Sequence, residues 1–156
     1  MVADVHHRSR GHMAKLTLHE LSRKMAKLDF AMLATRSAAG GLTARPMSNN
    51  GDVEYQGDSY FFAYGASRKV SDIRGDPAVT LSYTGAAGML GGPPLFVAVE
   101  GQAALIEDKA RFEAHWAKDL DRYFPEGIDT PGIVMIIVRA DRIRYWDGAD
   151  EGEIAA

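Results

Sequence analysis

The chain has 156 residues, of which 46% are hydrophobic and 25% charged, with a formal net charge of −3. Those proportions describe one globular domain with an ordinary core, and the slight acidity argues against a broad nucleic-acid surface. There is no cysteine, which excludes disulfides, thiolate metal sites and a catalytic thiol.

Residues 1–15 read as a flexible arm. The opening "MVADVHHRSRGHM" has charge and histidine but lacks the apolar core of a secretory signal. His6, His7 and His12 read as part of a solvated tail rather than a metal site, because no further ligand is placed to complete one. Thr17-Leu-His-Glu20 fits a capping box, and Leu18, Leu21, Met25 and Leu28 continue at helical spacing to about Asp29.

Strands are expected at Phe30–Thr35 and Leu42–Met47, joined by a Gly-rich turn. Pro46 implies that the second of these is an edge strand or carries a break in its ladder, because proline has no N–H to donate. Ser59–Tyr64 is a third strand, rich in aromatics. A short helix follows from Ser67, with Gly75 in the left-handed position after its end and Pro77 as the stop.

Ala78–Tyr83 and Leu95–Ile106 are the next strands, and Gly101 marks a bulge or a close backbone approach in the second. Asp108 to Leu120 reads as an amphipathic helix with Phe112, Trp116 and Leu120 on one side. Ile133–Ala140 and Arg142–Trp146 close the fold, and the acidic residues 149–156 read as a frayed tail. The longest aliphatic run, Ile133–Val138, is too short to span a bilayer, and the expected location is cytoplasmic. Many short strands with few helices suggest an antiparallel barrel over residues 16–148.

Standard catalytic motifs are missing. "GAAGMLGG" lacks the spacing of a dinucleotide fingerprint, and Gly65-Ala-Ser67 is not completed as a nucleophile elbow because Lys69 stands where the second glycine belongs. What stands out is "GASRKVSDIRGDP" (65–77). Ser67 is placed to cap, yet Arg68 and Lys69 occupy the first helical turn, where the helix dipole disfavours cations. Two readings are open. The pair can hold an anion together with the free N–H groups and the Ser67 hydroxyl, or it can extend into water at small cost.

The residues around this helix resemble the pyridoxamine 5′-phosphate oxidase-like family. "YFFAYGASRKVSDIRGDPAVTLSY" (60–83) is similar to its flavin-phosphate segment, with Ser67, Arg68 and Lys69 matching S-R-K and Asp76-Pro77 matching N-P. Arg45-Pro-Met47 lies where the family has its flavin-contacting strand. "VAVEGQAALIED" (97–108) and "IRYWDG" (143–148) resemble two further family segments. The combination with Trp116 and Tyr123-Phe-Pro-Glu-Gly127 looks closest to the bacterial general stress protein branch.

The resemblance implies a six-stranded antiparallel split β-barrel with flanking helices, forming a homodimer with FMN in two interfacial clefts. Ser67, Arg68 and Lys69 would clamp the phosphate. Arg45, Pro46 and Met47 would flank the isoalloxazine ring by backbone and side chain. Phe62 and Ala63 stand at the family's Y-T pair, and Trp116 and Trp146 are candidate aromatic neighbours, with core packing the open alternative for each. The implied activity is FMN-dependent oxidation and reduction of an unidentified small molecule. A flavin-binding stress protein without turnover is the alternative, as is the same barrel holding the deazaflavin F420 or haem.

The chain departs from the oxidase pattern. Ala63 replaces a threonine, and Phe96 stands where the oxidase has a glutamine. "ADEGEIAA" stands where the oxidase has its basic substrate-binding arm. These changes predict that it is not a true pyridoxamine phosphate oxidase.

Overall fold

The computed structural model describes residues 15–87, 90 and 92–156; the N-terminal arm with His6, His7 and His12 lies outside them. Helix α1 (Leu18–Met25) begins at the predicted capping box: Thr17 accepts from the Glu20 N–H and the Glu20 carboxylate accepts from the Thr17 N–H. It ends before Asp29, where Asn49 donates to the carbonyls of Met25 and Leu28 and ties the turn to the sheet. Leu21 and Met25 face the core.

The strands are β1 (Phe30–Arg36), β2 (Leu42–Ser48), β3 (Asp58–Tyr64), β4 (Ala78–Thr84), β5 (Leu95–Ile106), β6 (Ile133–Asp147) and β7 (Asp150–Ala155), with α2 (Arg68–Gly75) between β3 and β4. All pairings are antiparallel. The order is β2-β1-β4-β5-β6-β3, with β7 added beside β6. This is the split-barrel architecture, a curled sheet whose two ends are β2 and β3. Pro46 does sit on an end strand, opposite Met32.

Alternation sets the inside of the curl. Ala31 and Leu33 of β1, Leu81 and Tyr83 of β4, and Val97 and Val99 of β5 point into one core, closed by α1 and by Val70 and Ile73 of α2. Strand β6 does not alternate over Ile133–Val138 because both of its faces are covered. Val134, Ile136 and Val138 belong to the main core. Ile133, Met135 and Ile137 form a second cluster with Phe62, Phe112 and Phe124. The two predicted closing strands are therefore one strand, with its register shifted at Glu100/Gly101 of β5. At Gly101 a Cβ would collide with the Arg139 carbonyl, which explains the glycine.

Three expectations are corrected. The helix expected over Asp108–Leu120 is a run of short 3-10 turns at Lys109–Arg111, Glu113–His115 and Lys118–Arg122. Extended backbone at Trp116 and Ala117 breaks it, which packs Phe112 and Trp116 edge-on against Phe62 and sets Phe124 against Trp116, a packing gain that outweighs helical propensity. The acidic end is not frayed: it returns as β7, with Glu151 opposite Trp146, Glu153 opposite Arg144, and a Glu153–Arg142 ion pair. Gly75 is the last residue of α2 and has no positive φ; Asp76, extended, caps the helix. Among the described residues no helix is long and apolar enough to cross a membrane.

Candidate functional site

The ends of the curled sheet leave a cleft of about 380 Å³, within the size range of small-molecule sites. One wall is β2 (Pro46, Met47, Ser48) and another is β3 (Phe61–Tyr64). Ser67 and Lys69 at the start of α2 form one end, and Leu120, Tyr123 and Phe124 form the rim. The turn from β3 into α2 is held by the Gly65 N–H donating to the Gly132 carbonyl at 2.7 Å.

Ser67 occupies the N-cap position but does not cap. Its side chain makes no bond to the helix, and its Oγ is buried without a partner among the described residues. The N–H groups of Arg68, Lys69 and Val70 have no backbone acceptor either, as expected of a first helical turn. Lys69 is half-buried and makes no ion pair among the described residues. Its pKa lies below the ordinary lysine range, first through burial and then through the nearby Arg45 cation. A buried hydroxyl without an acceptor and a lysine desolvated beside another cation are both costly, and one anion would relieve both.

Arg45 is placed differently from the expectation. Its guanidinium turns inward, donating to Thr35 Oγ1 at 2.6 Å, Thr43 Oγ1 at 2.7 Å and the Leu33 carbonyl at 3.2 Å. It also lies 3.5 Å from Asp72 of α2, whose carboxylate accepts from Thr35 at 2.7 Å. The side chain is thus spent joining β2 to α2 and does not line the cleft. Arg68 is exposed and outside the cleft wall.

The structure therefore brings Pro46, Met47, Phe62, Ala63, Ser67 and Lys69 together around one cleft. It leaves Trp116 behind the wall, packed edge-on to Phe62 at 4.7 Å, with its indole N–H donating to Asp121. Trp146 lies on the outer face of the sheet beside Phe96, under the Arg144 guanidinium. Sequence reasoning missed Phe30, Leu120, Tyr123 and Phe124 as cleft residues. Tyr123 and Phe124 stand out in the sequence only as part of the family motif, and nothing in their spacing shows that the 3-10 turns carry them back over β3.

Among the described residues no group of three or more His, Asp or Glu side chains is placed to hold a metal. A family model described as pyridoxamine 5′-phosphate oxidase like matches residues 17–156. No curated protein matches the sequence.

Solved structures match over most of the chain. A protein related to general stress protein 26 from Clostridium acetobutylicum is 16% identical, with a TM-score of 0.72 over 88% of this chain and 93% of that one. General stress protein 26 of Bacillus anthracis is 19% identical, with a TM-score of 0.68 over 89% and 96%. A heme binding protein from Mycobacterium smegmatis is 17% identical, with a TM-score of 0.72 over 92% of this chain and 60% of that one. At these identities the likeness is one of fold.

Proposed function

We propose that this chain, which belongs to the pyridoxamine 5′-phosphate oxidase-like family, binds FMN in the β2–β3 cleft and acts as an oxidoreductase on a small molecule. The observation that carries the reading is the pair of groups at the start of α2 left unmet among the described residues, the buried Ser67 hydroxyl and the desolvated Lys69. Together with the first-turn N–H groups they suit a phosphate. Pro46, Met47, Phe62 and Ala63 offer a largely apolar wall for a planar ring. Arg68 adds charge from outside the wall.

Bound FMN would supply hydride and electron chemistry; the protein supplies binding, orientation and shielding. The acidic β7, in place of a basic substrate arm, favours a substrate other than pyridoxamine phosphate. Binding without turnover is the second reading, and rates with NADH or NADPH above those of free FMN would exclude it.

A homodimer is part of the proposal. The outward side of the sheet exposes Phe30 (55%), Met32 (42%) and Phe96 (43%), with Pro46 directly opposite Met32. Such a patch on one sheet face marks an interaction surface. Phe30 and Pro46 also line the cleft, so a second copy on this face would form part of its wall. Trp146 lies on the same face, and in the proposed dimer it would serve the partner's cleft rather than its own. Sedimentation at the mass of one chain would remove this part of the proposal.

The Ser67 hydroxyl gives a direct test. Among the described residues it has no hydrogen-bond partner, so Ser67→Ala should leave apoprotein stability unchanged or slightly raised, within about 0.5 kcal/mol. The same change should weaken FMN by about 1–2 kcal/mol. Thermal melts and FMN titrations read the two quantities separately. A destabilised apoprotein with unaltered FMN affinity would assign Ser67 to the fold instead.

A further inference from the structure

A second cavity, of about 550 Å³, opens off the cleft and shares with it the walls Phe30, Ser48, Phe61, Leu120 and Tyr123. Its far side is formed by the 49–52 turn and by Tyr60 and His115. The His115 ring lies parallel to Tyr60, with centroids 3.6 Å apart and planes 9° from parallel. That stack fixes the imidazole at the chamber wall.

The two ring nitrogens differ. Nδ1 is buried without a partner, whereas Nε2, also unpartnered among the described residues, is the accessible one. Nδ1 is unmet in either tautomer, so Nε2 is the nitrogen left to bond a ligand. Burial and the Arg111 cation both lower the His115 pKa, keeping the ring neutral near pH 7. The imidazole therefore offers a ligand one free hydrogen-bonding nitrogen, Nε2.

The charged groups around the chamber are Asp29, Asp52 and Asp119 against Lys118 and Arg122. An excess of carboxylates does not suit a phosphorylated or carboxylated substrate. The shared walls are mainly aromatic or apolar.

We propose that this chamber is the substrate subsite of the cofactor cleft, built for an uncharged planar molecule whose polar atom hydrogen-bonds the accessible His115 Nε2. This rests on reading the cleft as the cofactor site. Nothing in the chamber requires the substrate to carry phosphate, in contrast to the anion site at Ser67 and Lys69 some residues of wall away.

Benzamide and benzoate form a probe pair of one shape and different charge. Both are titrated into the full-length protein, with and without FMN, while the His115 ring ¹⁵N signals are followed by NMR. Benzamide should shift the Nε2 signal and bind at least about tenfold more tightly than benzoate. His115→Phe, which keeps the stack on Tyr60, should weaken benzamide by about fivefold to tenfold, and His115→Gln, which keeps a donor, should recover part of the loss.

Equal binding of benzoate, or benzamide affinity unchanged in His115→Phe, would overturn the proposal. FMN affinity reports on the cleft alone and should be the same, within about twofold, in all three proteins. If FMN fails to bind the unmodified protein while benzamide shifts His115, the cofactor reading fails and the chamber stands as a binding site of its own.

Discussion

Lys69→Ala should raise the dissociation constant for FMN by about 10- to 100-fold and leave that for riboflavin within about twofold. The effect is electrostatic and local. Lys69 lines the cleft, has no carboxylate partner among the described residues and is desolvated beside Arg45. A phosphate would be its counter-ion, and a charge-assisted bond in that setting is worth about 1.5–3 kcal/mol. Riboflavin has the same ring without the phosphate, so it isolates the contact. Arg68→Ala should cost less, about threefold, because Arg68 is exposed and its interactions are screened by water. Parallel losses for FMN and riboflavin would place Lys69 against the ring and contradict the assignment.

Asp72→Ala should destabilise the fold by about 3 kcal/mol, lowering the melting temperature by roughly 6–12 °C for a chain of this size. Asp72 is buried on α2 and accepts from Thr35 while facing Arg45 of β2. Its loss strands a mostly buried guanidinium with only hydroxyl and carbonyl partners. The pair also joins the helix that carries Ser67 and Lys69 to the strand that carries Pro46 and Met47, so two walls of the cleft are fixed by one ion pair. The double change Arg45→Met with Asp72→Leu should recover most of the stability, because two apolar side chains leave no unpaired charge. A cost below about 1 kcal/mol for Asp72→Ala would show that the pair does not anchor the helix.

Most of the sheet was legible because its strands carry local signals. Leu95–Ile106 is the predicted strand residue for residue, and Pro46 and Gly101 each mark what their chemistry requires, an end strand and a bulge. The Lys109–Arg122 segment was not legible. Its i, i+4 apolar spacing suits a helix, yet the face of β3 and β6 that it covers rewards a flatter layout. Strand β7 was missed although a signal existed: Gly148 and Ala149 form a two-residue hairpin loop, with Gly148 at φ +67°. Acidic composition was read as solvation, whereas Arg142 of β6 pairs with Glu153.

Ser67 and Lys69 drew attention in the sequence because two cations at a helix start are a local anomaly, and both line the cleft. The inward turn of Arg45 was not legible there, since its partners Thr35 and Asp72 are separated from it in sequence and meet only in the curled sheet. The same holds for Tyr123 and Phe124 on the cleft rim. The family resemblance carries the proposed ligand, and the unmet Ser67 hydroxyl and desolvated Lys69 support the proposal.

The central claim is that the start of α2 is a phosphate site and that the ligand bearing the phosphate is a flavin. Titration of FMN and of riboflavin into the full-length protein, followed by flavin fluorescence at fixed salt, tests it most directly. The account predicts that FMN binds at least about tenfold more tightly than riboflavin. Equal affinity for the two, or no binding of FMN, would contradict it.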